Sequence, residues 1–199
     1  MNRCKWCDLK NPKYVEYHDK EWGVLRTDDN YLFAMLVLES FQAGLSWECI
    51  LNKRENFRRA YDDFDLDTVC GYDEEKIAEL CSDSSIVRNK LKIRASISNA
   101  RIFRDIVKEQ GSFYDYLCKF TDGEILYECD KTTNEWSDRI SADLKKRGMK
   151  FVGSVIIYSF LQAVGGQFVY GEGRSYVCID NKGRSRWFYN ALELSLIHI

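Results

Sequence analysis

The sequence predicts an all-α fold, a compact helical bundle of two lobes, and three observations carry the prediction. The 199 residues contain a single proline, Pro12, and only twelve glycines, too few breakers for the many turns of an all-β chain. Apolar residues (45%) and charged residues (30%) stand in globular proportion, so one hydrophobic core is affordable at this length. Apolar side chains recur at helical spacing between Asp/Ser caps and glycine stops.

Taken in order, Asp28/Asp29 cap a helix over Tyr31–Ala43 that Gly44 closes. Ser46 opens a second helix to about Tyr61, with Trp47, Ile50, Leu51, Phe57 and Ala60 on one face. Asp65 and Asp73 open two short helices ending near Cys70 and Cys81. Arg88–Gln110 places Leu91, Ala95, Ile102 and Ile106 at helical spacing, and Gly111 stops it. Ser112–Phe120 is a further short helix, 121–136 reads as loop, and Ser137–Arg147 ends at Gly148. Phe151–Val164, the most apolar run, reads as a buried helix and is too short to span a bilayer.

Composition narrows the compartment. The N-terminus is polar and lacks the apolar stretch of a signal peptide. Five of the eight cysteines lie singly in helical segments, where a free thiol packs as a small hydrophobe. A reducing, cytoplasmic setting with no membrane segment is expected.

The formal net charge of −2 hides a division. Residues 62–83 hold nine acidic side chains against Lys76. Arg88, Lys90, Lys92, Arg94, Arg101, Arg104 and Lys108 follow, and Arg139, Lys145, Lys146, Arg147 and Lys150 form a later cluster. Such runs are commonly solvated helix faces. The first one also begins at a turn-to-helix junction, where backbone N–H groups take phosphate without reading sequence.

Two constellations carry chemistry. Glu39 sits within FAMLVLES, so its carboxylate either faces solvent or points into a pocket. Buried without a cationic partner it would suit a positively charged guest, and Trp6, Tyr14, Tyr17, His18, Trp22, Tyr31 and Trp47 supply rings for a flat one. Cys4, Cys7 and His18 have zinc-like spacing but lack a fourth ligand.

Long motifs then resemble one family. They are Arg3-Cys4-x-Trp6, Tyr14-x-x-Tyr17-His18-Asp19-x-Glu21-Trp22-Gly23-Val24, and Leu38-Glu39-x-x-Gln42-Ala43-Gly44-Leu45-Ser46-Trp47. Lys53-Arg54-Glu55-Asn56, Ile86-x-Arg88-Asn89-x-Leu91-Lys92-Ile93 and Asn99-Ala100-Arg101 continue the series. Leu144-Lys145-Lys146-Arg147-Gly148-x-Lys150-Phe151-Val152-Gly153 and Tyr158-Ser159-Phe160-x-Gln162-Ala163-Val164-Gly165 close it. Residues 1–165 resemble DNA-3-methyladenine glycosylase I, a helix–hairpin–helix family. Residues 166–199 do not match it and read as a divergent tail, consistent with a replaced or frame-shifted sequence.

The resemblance implies a monofunctional base-excision-repair enzyme that flips 3-methyladenine out of double-stranded alkylated DNA and hydrolyses its glycosidic bond. It implies Glu39 as the acidic partner of the base and Tyr17 and Trp47 as catalytic-pocket walls enclosing the purine. Tyr14, Trp22 and Gln42 stand beside them. It implies a hairpin over 82–88, with Ser85, Arg88, Lys90 and Lys92 as DNA contacts and Ser85 where the family has glycine. It implies a monomer, no general-base aspartate of the kind other helix–hairpin–helix glycosylases use, and zinc-tied termini. Cys4 and His18 match two zinc ligands, whereas the later His and Cys are absent. The competing readings are a DNA-binding protein left inert by that tail, and a small-molecule binder.

Overall fold

The computed structural model describes residues 3–4, 6–121, 126–127, 131–165, 169–170, 176–179 and 185–188. Nine α-helices lie among them: α1 Pro12–Lys20, α2 Asp29–Gln42, α3 Trp47–Ala60, α4 Leu66–Cys70, α5 Glu74–Ser82, α6 Lys90–Gln110, α7 Phe113–Thr121, α8 Glu135–Lys146 and α9 Ser154–Val164. The expected caps do their work: Asp28, Ser46, Asp65 and Asp73 accept the backbone N–H three residues on, each satisfying a donor the helix cannot.

The helices bear out the all-α expectation, and besides them only four segments of two to four residues pair as strands among the described residues. Residues Leu126–Tyr127 (β1) pair in parallel with Val169–Tyr170 (β2), and Tyr176–Ile179 (β3) pairs antiparallel with Ser185–Phe188 (β4). Helix bounds differ in places, as at α6, which starts at Lys90 after its Asn89 cap rather than at Arg88. Helix α1 was not foreseen: Asn11 caps it through the Lys13 N–H and Pro12 occupies its first turn, where a missing N–H costs nothing. Helix α8 starts at Glu135, because Asn134 and Ser137 form a reciprocal cap. Helix α9 starts at Ser154 rather than Phe151, whose φ of 57° is left-handed.

Helix α2 is the axis. Leu32, Phe33 and all residues from Met35 to Phe41 are buried, as expected of a helix apolar on every side, and it packs against α3, α6, α7 and α9. Buried apolar side chains from Cys4 to Val164 form one continuous core. Gly165 closes α9 against the segment after α1: a Cβ there would stand 2.4 Å from the Leu25 Cα. The Gly23 and Arg26 N–H groups donate to the carbonyls of Ala163 and Val164. Only glycine permits that approach, so the last glycine of the Gln-Ala-Val-Gly motif has a packing reason. No described helix is long and apolar enough to cross a membrane.

Candidate active site

A cavity of about 200 Å³ opens between α1, α2, α3 and α9, lined by Trp6, Tyr14, Tyr17, Trp22, Glu39, Gln42, Trp47, Ser159 and Gln162. All six residues expected for the catalytic and base-pocket roles therefore come together. Trp6, Ser159 and Gln162 join them unforeseen. Trp6 was noted only as one ring among several, and the other two lay in the Tyr-Ser-Phe-x-Gln motif with no charge to mark them.

The alternative left open for Glu39 is resolved by α2. Since every residue of that helix from Met35 to Phe41 is buried, the side chain is 3% exposed and belongs to the cavity wall. Desolvation pushes its carboxyl up to about 8, because no cation faces it. Its Oε2 has no hydrogen-bond partner, and neither has the Trp47 indole N–H. Buried polar atoms are seldom left so, and here two of them belong to side chains of one cavity.

Tyr17 and Trp47 are in contact, ring centroids 5.2 Å apart at 50°. A third ring between two parallel ones needs roughly 7 Å, two carbon contact distances of about 3.5 Å. As they stand, the Tyr17 and Trp47 rings are closer than that spacing. Burial holds the Tyr17 phenol well above its ordinary range and raises Tyr14 to about 12. Both stay protonated donors at neutral pH.

The α5–α6 connection occupies the expected hairpin region. Asp83 ends α5 and accepts the Ser85 N–H at 2.8 Å. The Ser85 carbonyl accepts from Lys53 Nζ at 2.9 Å and Asn56 Nδ2 at 3.2 Å, both on α3. Ser85 is not among the left-handed non-glycine residues, which are Asp62, Asp63, Phe64 and Phe151, so serine in place of glycine brings no backbone strain there. Arg88 and Lys90 are exposed. Lys92 is not: its ammonium turns inward and donates to the carbonyls of Phe41 at 2.8 Å and Ala43 at 2.5 Å. It caps the C-terminal end of α2, where a cation is favoured, and it is corrected here from a DNA contact to an internal tie.

At the N-terminus, the Cys4 N–H donates to His18 Nε2 at 3.2 Å, and His18 Nδ1 lies 2.9 Å from Asp19, which pairs with Arg3. The hydrogen bond from Arg3 holds the Asp19 carboxyl down at about 2. With Nε2 accepting an amide, that face of His18 is directed at backbone. No group of three or more His, Cys, Asp or Glu side chains able to hold a metal ion occurs among the described residues. These residues alone do not fit a four-ligand zinc.

The sequence pattern of the methyladenine glycosylase family matches residues 6–167. The chain belongs to that family. It is 43% identical over 172 residues to DNA-3-methyladenine glycosylase 1 of Escherichia coli K12, covering 83% of this chain and 91% of the relative. It is 33% identical to DNA-3-methyladenine glycosylase of Haemophilus influenzae, covering 82% and 91%. A crystal structure of 3-methyladenine DNA glycosylase I superposes with a TM-score of 0.78 at 42% identity, covering 82% of this chain and 92% of that one. A variant of 3-methyladenine DNA glycosylase I solved with 3-methyladenine gives 0.80 at 30% identity, covering 94% and 100%. The chain thus shares its helical fold with a protein solved in complex with a flat methylated purine.

Proposed function

We propose that the chain is a monofunctional DNA-3-methyladenine glycosylase of base-excision repair. The observation that carries it is the buried, unpartnered Glu39 carboxyl in an aromatic-lined cavity, within a family whose curated members are named for this activity.

Methylation at N3 gives the adenine nucleotide a positive charge that the normal base lacks. The flipped base enters the cavity after an unstacking cost of a few kcal/mol. It lies against the Tyr17–Trp47 pair, with the partly exposed Trp6 as a further aromatic surface, and Tyr14, Trp22 and Gln42 around it. The Glu39 carboxylate complements its charge, and the Trp47 N–H is free to donate to it. The glycosidic electron pair leaves with the base, positive charge passes to the sugar, and water adds at C1′ with loss of a proton. The products are neutral 3-methyladenine and an abasic site, so no strong acid is required.

Double-stranded DNA docks on the α5–α6 hairpin in this reading, a helix–hairpin–helix element offering backbone N–H groups around Ser85 with Arg88 and Lys90 beside them. Lys92 supports the hairpin from within. Lys92→Met should therefore destabilise the fold by about 1.5–3 kcal/mol, the worth of hydrogen bonds from a charged group, read from urea unfolding. It should leave the salt dependence of duplex binding unchanged, whereas Arg88→Gln and Lys90→Gln should each lower the slope of log K against log salt by about 1.

Residues 1–165 form the glycosylase domain and 166–199 a divergent tail, and the working enzyme is a cytoplasmic monomer. No step above passes through zinc. A zinc tie at Cys4 and His18 would require ligands from the tail, where Cys178 is described only as strand backbone and His198 lies outside the described residues. Incubation with methylated duplex DNA tests the whole reading, and metal analysis of the same sample tests the tie. Release of free 3-methyladenine is expected. Duplex binding with no base released would favour the inert DNA-binding alternative, and a metal-free active enzyme would remove the zinc.

A further inference from the structure

Two motif residues take no part in the chemistry above, and the fold pairs them. Glu21 stands four residues after Tyr17 at the end of α1, where its N–H donates to the Tyr17 carbonyl at 3.0 Å. Arg54 stands two turns after Trp47, on the same face of α3. The Arg54 guanidinium grips both oxygens of the Glu21 carboxylate, each at 2.6 Å, and the Tyr31 hydroxyl near the start of α2 donates to Oε1 at 2.7 Å.

Helices α1 and α3 are thus joined by the Tyr17–Trp47 ring contact and, beside it, the Glu21–Arg54 ion pair, while at the other end of α1 its Asn11 cap donates to Glu48 and Asn52 of α3. The third helix, α2, which carries Glu39, is tied to the same carboxylate. A forked, charge-assisted arrangement of this kind fixes orientation as well as distance. Tyr17 has need of it. Besides the base cavity it borders a second cavity of about 550 Å³ that also includes Glu21, Tyr31 and Arg54. Tyr17 is 4% exposed and its ring stands as a wall between the two cavities.

We propose that Glu21, Arg54 and Tyr31 form a positioning clamp that keeps Tyr17, Glu39 and Trp47 in register for the damaged base. The proposal rests on the glycosylase reading for its substrate. Its components are positioning residues, since none of them lines the base cavity.

The test compares wild type with Glu21→Gln, Arg54→Met, Arg54→Lys and Tyr31→Phe. It reads single-turnover release of 3-methyladenine, duplex affinity, quenching of tryptophan fluorescence by free 3-methyladenine, and the urea midpoint. A misplacement of about 1 Å at a reacting site can cost on the order of a hundredfold. Arg54→Met and Glu21→Gln are therefore expected to lose about tenfold or more in release and in free-base affinity, while duplex affinity stays within about twofold. Tyr31→Phe should lose less, Arg54→Lys should recover part of the Arg54→Met loss, and a variant combining Glu21→Gln with Arg54→Met should be no worse than Arg54→Met alone.

Ile140→Val, in the core on α8, serves as the control for lowered stability and should keep release intact. Release and free-base affinity both retained within about twofold in Arg54→Met would overturn the clamp, whatever happens to the midpoint. So would a loss that Ile140→Val reproduces at an equal midpoint. Absence of release by wild type would instead refute the glycosylase reading, and the fluorescence arm would still decide the clamp.

Discussion

Replacing Glu39 by Gln is expected to cut single-turnover release of 3-methyladenine by about 10- to 100-fold, the worth of roughly 1.5–3 kcal/mol for a hydrogen bond involving a charged group. Glutamine keeps the shape of the side chain and its place on α2 but cannot become an anion. What it removes is the one acidic group among the described residues that line the cavity. Duplex affinity should hold within about twofold, because the hairpin and its cations lie on other elements. Stability should not fall, since the substitution deletes a buried carboxyl whose Oε2 has no partner. Equal losses in release and duplex binding would refute the assigned role.

The second large effect is on pH. The folded Glu39 carboxyl titrates at about 8, above an ordinary value of 4.5. Between those limits the native state keeps a proton that the unfolded chain has released, so the native state binds more protons. Stability must then fall as pH rises through this window, by up to roughly 1.4 kcal/mol per unit from this group, and level off above about 8. Asp19 does not interfere, because its depressed titration lies near 2. Urea midpoints taken from pH 5 to 8 should show the decline in wild type and a shallower one in Glu39→Gln.

Activity should move the other way. The pH dependence of kcat/KM reports the free enzyme and should rise with a midpoint near pH 8, levelling off about one unit higher. That of kcat reports the complex, where the cationic base pulls the carboxyl down, so its rising limb should lie at lower pH. A flat kcat/KM profile over pH 6–8.5 in wild type would count against an ionising Glu39.

Much of this was legible in the chain, and the misses have physical causes. Helix N-termini were readable wherever an acid or serine preceded an apolar period, as at Asp28, Ser46, Asp65 and Asp73. Helix α1 escaped because it is short and aromatic, and its start is marked only by Asn11 and Pro12. Phe151 looked like the first residue of α9 because hydropathy carries no φ, and a left-handed phenylalanine has no sequence signature. Lys92 was misread for a related reason. Charge tells where a side chain can titrate, not whether a helix end buried beside it has carbonyls to satisfy. The cavity's polar pair Ser159 and Gln162 were visible only as parts of a motif. Nothing in spacing could show that Glu21 and Arg54, 33 residues apart, would meet.

Helix α3 carries a consequence of its own. Lys53 and Asn56 hold the hairpin loop, Arg54 holds α1, and Trp47 at the other end forms cavity wall. Four contacts on one rod leave no hinge between the surface that would meet the duplex and the chamber that would receive the base. Engagement of DNA then has little protein motion to spend, and the shape change must fall on the nucleic acid. A bend of tens of degrees in a duplex costs on the order of 1–6 kcal/mol. On the proposed docking, lesion search would then depend on how readily each stretch of DNA yields to a stiff template.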